Sequence, residues 1–321
     1  MAASPSSTAT DQRDVGEVPS GPERLGLREW VDVFRRAARE FVKDDCMGLA
    51  NQVAFSSILA FFPALIFLIG LLGLLGEDTY NQLGDLIARV APSQVNDAIE
   101  IAKDSSADKT GASALAFAAG GLLAIWAASG AMSAVIKAVN RAYGRVETRP
   151  FWRVRATAIV LVAVSGLVLA GMFIFIVFGG PLGKAIAEKA GFGSTFELLW
   201  NLLRWPLALV VLLFFFALVY YAAPNVEIRR WQYITPGAVF GVIAWIAASV
   251  GFFFYVSEFA TYAATYGAFA TVVILLIWLW LTNAVLLFGA ELNAVIDLRR
   301  EPNLALGHDG PVFPAKEPVD E

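Results

Sequence analysis

The 321-residue chain is 58% hydrophobic and 16% charged, with a net charge of −4 at pH 7, which places it among multi-pass membrane proteins rather than soluble domains. Its one cysteine, Cys46, and one histidine, His308, exclude an internal disulfide, a Cys/His metal site and Ser/His or Cys/His catalysis. The mild acidity belongs to tails and loops and argues neither for nor against a nucleic-acid partner; no nucleic acid and no cofactor are expected.

Residues 1–26 are rich in Ser, Ala, Thr, Asp and Pro without an apolar core, so they read as a disordered cytoplasmic tail and not as a signal peptide. From Leu27 the pattern changes. Leu27, Trp30, Phe34, Ala37, Ala38 and Phe41 repeat at helical spacing, with Arg28, Arg35, Arg36, Arg39 and Lys43 largely elsewhere. This is an amphipathic helix, lying on the inner membrane surface or packed on cytoplasmic parts of the same protein.

A first span follows over 49–75, entered through Asn51 and Gln52 and kinked by Pro63. Between 76 and 111 two short amphipathic helices are expected, capping the bundle outside or forming a solvated hairpin. The second span, 112–136, places Gly120, Ala124, Ala128, Ala131 and Ala134 at helical spacing, so neighbouring backbones approach it closely. It runs into a basic loop from Lys137 through Asn140 and Arg141 to Arg155. The third span, 156–178, is expected to stop at Gly179-Gly180-Pro181, after which Leu182 to Asn201 forms a second outer connection with helical character. The stretch around Gly179-Gly180-Pro181 only glances at a phosphate loop, because Phe178 and Ala185 stand where GxxxxGK[ST] needs Gly and Ser/Thr.

The fourth span, 204–223, has Pro206 in its expected first turn and is stopped by Pro224-Asn225. The fifth, 234–256, carries a GxxxG step at Gly237 and Gly241. The sixth, 268–292, begins after a polar aromatic run (Tyr262, Thr265, Tyr266, Gly267) and reaches Glu291 and Asn293 before Arg299-Arg300. Trp278 and Trp280 fall mid-span, where packing on other helices is their expected use. Tyr255, Tyr262 and Tyr266 read as an outer aromatic belt. Residues 301–321 form a second polar tail.

Basic residues near span ends gather on one face of a six-span scheme: Arg24 to Lys43, Lys137 to Arg155, Arg229-Arg230 and Arg299-Arg300. The positive-inside rule then puts both termini in the cytoplasm. The expected fold is an all-α bundle of six transmembrane helices with amphipathic surface helices, over residues 27–300.

Several residues in this order resemble the YihY/BrkB family of bacterial inner-membrane proteins, once labelled ribonuclease BN. They are Ala54-Phe55 with Pro63, Trp126 through Asn140 to Tyr143, Tyr220 to Pro224-Asn225, Pro236-Gly237, Tyr255, Tyr262 to Gly267, and Gly289 to Asn293. The resemblance covers about 33–300. It implies a six-helix fold, a place in the bacterial plasma membrane and a transport role connected with envelope lipids, but no catalytic residue.

Glu291 is the leading functional residue, because a carboxylate within or just beneath hydrocarbon is costly, by roughly 2.5–3.5 kcal/mol for comparable charges at a helix centre. With Asn293 and Asn283 it reads either as a proton- or headgroup-binding site or as an ion-pair partner of Lys137 or Arg141. Asn51, Gln52 and Asn140 read as inner-side polar partners, and as helix-helix hydrogen bonds otherwise. Pro63 and Pro224 are hinge or stop residues. The arginines from Arg141 to Arg155 mark topology and also suit anionic lipid headgroups, the partner class expected here. The function expected is transport or translocation of a lipid or other envelope substrate, with a non-transporting envelope scaffold as the alternative and no enzymatic, least of all nuclease, activity.

Overall fold

A computed structural model of the chain describes residues 26–74, 110–190, 193–225, 235–258 and 268–300. The short helices expected over 76–111, the loop with Arg229-Arg230, the rim residues Tyr262 and Tyr266, and both tails lie outside these residues. The described chain is helical: α1 (Leu27–Lys43), α2 (Cys46–Leu74), α3 (Thr110–Ala142), α4 (Phe151–Ala190), α5 (Gly193–Ala222), α6 (Pro236–Glu258) and α7 (Ala268–Arg300). Six of these, α2 to α7, are long and apolar enough to cross a membrane.

The six follow one another around the bundle in chain order, each packed on the next, and α7 closes the circuit against α2 while also touching α3. Burial is concentrated at one end. Cys46 to Ile58 at the start of α2, Ala131 to Ala142 at the end of α3, and Ala284 to Ile296 late in α7 are the buried stretches, joined by the end of α5 and the start of α6. Alternating helix starts and ends at one level is what an up-down six-span topology requires. Beyond that level, large apolar side chains such as Phe61, Phe62, Leu122, Leu167 and Phe253 face outward, as lipid-facing residues do.

Small residues set the close crossings. A Cβ on Gly120 would stand 2.7 Å from the backbone nitrogen of Phe67, so α3 rests on the backbone of α2. At the crossing of α6 and α7, a Cβ on Gly237 would collide with the Gly289 carbonyl, and one on Gly289 would collide with the Tyr220 hydroxyl. Gly241 extends the same face, with the Phe216 ring 2.9 Å from its virtual Cβ. The tryptophans pack as expected. Trp278 meets Trp245 edge to face at 6.2 Å, and Trp280 donates to the Met47 carbonyl at 3.4 Å.

Four expectations need correction. α4 does not stop at Gly179-Gly180-Pro181 but continues to Ala190. Gly and Pro weaken a helix without always ending it, and the run from Lys184 to Ala190 that follows is made mostly of good helix formers. Pro206 sits in mid-helix, because α5 begins at Gly193; it lies within the apolar span Leu198–Ala222, where leaving further peptides unsatisfied would cost more than the helix penalty of one proline. Lys137, Asn140 and Arg141 lie on the last turns of α3 and not in a loop. The last helix also runs past 292, so Glu291 and Asn293 stand within α7 with a further two turns beyond them.

The inward face of α1 is Val33, Ala37 and Phe41, flanked by Trp30 and Phe34; Leu27 and Ala38 are exposed. This face packs on Leu292, Val295 and Ile296 of α7, so the helix lies on its own protein along this stripe.

Candidate functional site

Val33, Ala37, Phe41 and Asp44 continue one stripe at steps of four, four and three, so the last residue of that stripe points where the apolar ones do. A tight turn holds it there. The Asp44 N–H donates to the Glu40 carbonyl at 2.8 Å, Asp45 takes a left-handed φ of 52°, and the Asp45 carboxylate accepts from the Gly48 N–H at 3.3 Å to start α2. The Asp44 carboxyl is thereby 8% exposed beneath Glu291, which is 1% exposed.

Around Glu291 three elements converge. The Cys46 thiol of α2 donates to Glu291 Oε1 at 3.4 Å, and the Asp44 and Glu291 carboxyls lie close enough to interact. Arg141 of α3 stands beyond them, with Nε 3.5 Å from Asp44 Oδ1. Two carboxylates buried side by side repel each other, which favours a proton on one of them. Burial raises the Asp44 carboxyl above its ordinary range, and the neighbouring Arg141 charge pulls against that rise without cancelling it. The group is therefore a buried carboxyl pair with a single guanidinium at its edge.

The sequence-selected residues divide clearly. Arg141 reaches the site through Asp44, whereas Lys137 is exposed. Asn51 and Gln52 are exposed and do not turn toward Glu291. Asn283 is buried but returns its amide to its own helix, donating to the Leu279 carbonyl at 2.8 Å. Asn293 caps α6: its Oδ1 accepts from the Gly237 N–H at 2.8 Å and its amide donates to Thr235 Oγ1 at 3.1 Å, beside the Thr235-Pro236 helix start. Pro63 lies inside α2, and Pro224 is fully buried just past the end of α5.

Asn140 belongs to a second polar cluster. Its amide donates to Glu147 Oε2 at 2.8 Å, and its carbonyl oxygen accepts from the Asn225 N–H at 2.6 Å. Arg149 forks onto the same Glu147 carboxylate at 2.6 and 2.8 Å and also donates to the Ala223 carbonyl at 2.9 Å. Asn225 completes the clasp through Thr148 Oγ1 at 2.8 Å. The ends of α3 and α5 are thus tied through the 143–150 loop, whose turn uses Gly144 at φ 62°.

Burial pushes the Glu147 carboxyl up, but the bonds and charge of Arg149, with the Asn140 amide, outweigh it and leave it below its ordinary 4.5. A depressed folded value means the clasp contributes stability above the unfolded value and loses it as pH falls through the folded one. Glu147→Gln is expected to lower the thermal midpoint by a few degrees near neutrality. The gap to the wild type should begin to shrink near pH 4.5 and disappear further into acid; a gap that does not change with pH would contradict the assignment.

Asp44 and Glu147 are participants the sequence reading did not single out, while Cys46 was read only as the lone cysteine and Arg149 only as one of the basic residues from Arg141 to Arg155. Asp44 was findable, as the continuation of the α1 stripe; Cys46 and the loop residues carry no local signal. Among the described residues, no three His, Cys, Asp or Glu side chains gather as a metal site.

Helices crossing a membrane around a buried carboxyl pair define a multi-pass helical membrane protein. The chain belongs to the Virulence factor BrkB family, whose model matches residues 37–310. It is 33% identical over 250 residues to the ribonuclease-like protein YfkH of Bacillus subtilis, covering 78% of this chain and 90% of that one. It is 24% identical to a UPF0761 membrane protein of Pseudoalteromonas atlantica, over 90% of this chain and 97% of the relative. A UPF0761 membrane protein of Rhodospirillum centenum is also 24% identical, over 84% of this chain but only 58% of that longer protein. No solved structure matches.

Proposed function

We infer that this is a transporter or translocase of the bacterial plasma membrane, with an envelope lipid or lipid-linked molecule as its substrate class. Both termini are assigned to the cytoplasm, and the Asp44–Glu291 pair to the site that takes a proton or a substrate headgroup. The observation that carries this reading is the carboxyl pair itself, hidden where α1, α2, α3 and α7 meet. A bundle needs no such group for stability, since replacing buried ion pairs by apolar residues is often neutral or stabilising. The orientation is supported by the basic residues of α1 and of the stretch from Lys137 to Arg155, which lie at the well-packed end.

An envelope scaffold would have no use for a proton-holding pair at this crossing. The ribonuclease-like name of the Bacillus relative suggests no chemistry here: Asp44 and Glu291 are 8% and 1% exposed, out of reach of a polynucleotide.

The test uses the full chain in vesicles of phosphatidylethanolamine and phosphatidylglycerol, with a fluorescent-headgroup phosphatidylglycerol as probe. Headgroup crossing should exceed that of protein-free vesicles and respond to an imposed pH gradient. Crossing equal to that of protein-free vesicles under every gradient would contradict lipid translocation.

The native cysteine offers a check on the site's closure. Cys46 is 0% exposed, so a maleimide should react with it on the order of 100-fold more slowly in the folded protein than in denaturant. Equal rates would show that the α1–α2 turn does not seal the site.

A further inference from the structure

α1 carries two apolar stripes, and one of them is already occupied by the protein. At 100° per residue, Val33, Ala37 and Phe41 define the stripe packed against α7. Leu27, Val31 and Val42 fall together on another side of the helix, at 84%, 51% and 75% exposure. Along one border of this second stripe run Arg35, Arg28 and Arg39, all exposed. None of these three makes an ion pair among the described residues. The arginines of the α3–α4 region are differently placed: Arg141 is on Asp44, Arg149 on Glu147, and Arg155 lies 4.0 Å over the Trp126 ring.

A narrow apolar stripe bordered by guanidiniums is what a helix seated at a bilayer surface presents: the stripe enters the acyl boundary, and the cations hold phosphates. We propose that the second stripe of α1, with Arg28, Arg35 and Arg39, docks on anionic phospholipid headgroups of the leaflet at the well-packed end of the bundle. Charge selects this occupant. These three arginines make no ion pair among the described residues, and with Arg36 and Lys43 they outnumber Glu29, Asp32 and Glu40 on α1, so the helix, joined directly to a membrane bundle, faces a surface of opposite sign in an anionic leaflet. The docking is independent of the transport reading, but it has a consequence for the same site. α1 ends at Asp44, so a helix gripped by lipid on one side and by α7 on the other fixes the position of the Asp44 carboxyl beneath Glu291.

The test is the depth of α1 in a bilayer. The full chain, with Cys46→Ala and Ala38→Cys carrying a nitroxide beside the exposed stripe, is placed in nanodiscs of phosphatidylcholine alone or mixed equally with phosphatidylglycerol. The ratio of oxygen to nickel-chelate collisions should be several-fold higher in the anionic discs. In the same discs, Arg28→Gln/Arg35→Gln/Arg39→Gln should lower it to the phosphatidylcholine value, with the thermal midpoint unchanged because these side chains are exposed. A nitroxide equally open to nickel in both lipids would overturn the proposal and leave this face to a protein partner. A triple variant that stays as deep as its parent would overturn the role of the arginines. Should the triple variant fail to fold, the comparison of the parent in the two lipids decides the question.

Discussion

Glu291→Gln is expected to leave the protein inserted, with a thermal midpoint within a few degrees of the wild type, while complementation of an envelope defect in a deletion strain falls at least about tenfold, the rate effect of a 1.4 kcal/mol change. Glutamine keeps the volume, can still accept from the Cys46 thiol, and carries an amide able to donate to the neighbouring Asp44 carboxyl. What it removes is the exchangeable proton, and with it any step in which the pair gains or loses charge. Asp44→Asn is expected to act in the same direction, with an added cost because Arg141 loses its carboxylate. A stable, fully active Glu291→Gln protein would reduce the carboxyl pair to a packing detail.

The largest effect on stability is expected at the crossing of α6 and α7. Gly237→Val places a branched side chain where even a Cβ would collide with the Gly289 carbonyl and lie 2.6 Å from the Asn293 amide. The two helices cannot part without also breaking the Asn293 bond to the Gly237 N–H and moving Gly289 against the Tyr220 hydroxyl, which donates to the Leu286 carbonyl at 2.8 Å. Overpacking of this kind costs roughly 1–3 kcal/mol and at backbone contacts more. The variant should lose most of its folded yield in detergent, measured by monodispersity and thermal midpoint. Gly251→Val, on the same helix where a Cβ would meet nothing within 4 Å, should be close to neutral. Similar losses from both would mean that valine disturbs the helix itself and not its crossing.

The six spans, α1 and the close-packing glycines were legible because each is written in local periodicity and residue size. Gly120, Gly237 and Gly241 announce close approach by their spacing alone. Helix ends were less legible. Pro206 is a breaker by the energetics of water but lies in an apolar span, and Gly179-Gly180-Pro181 is followed by a run of helix formers that carries α4 on to Ala190.

Glu291 stood out because a carboxylate in an apolar helix is rare, but its partners come from distant parts of the chain. Cys46 is 245 positions away, and Arg141 reaches it only by way of Asp44. Asn293, read beside Glu291, serves instead as the cap of α6. A side chain's position along the helix can be read from spacing; the backbone N–H it meets on another helix cannot.

Native mass spectrometry of the full chain, extracted gently with its lipids, compared with the Glu291→Gln variant, tests the central claim most directly. A lipid or lipid-linked molecule retained selectively by the wild type and lost from the variant is the predicted result. The same bulk lipid in both, with nothing retained selectively, would contradict a lipid-handling site at Glu291.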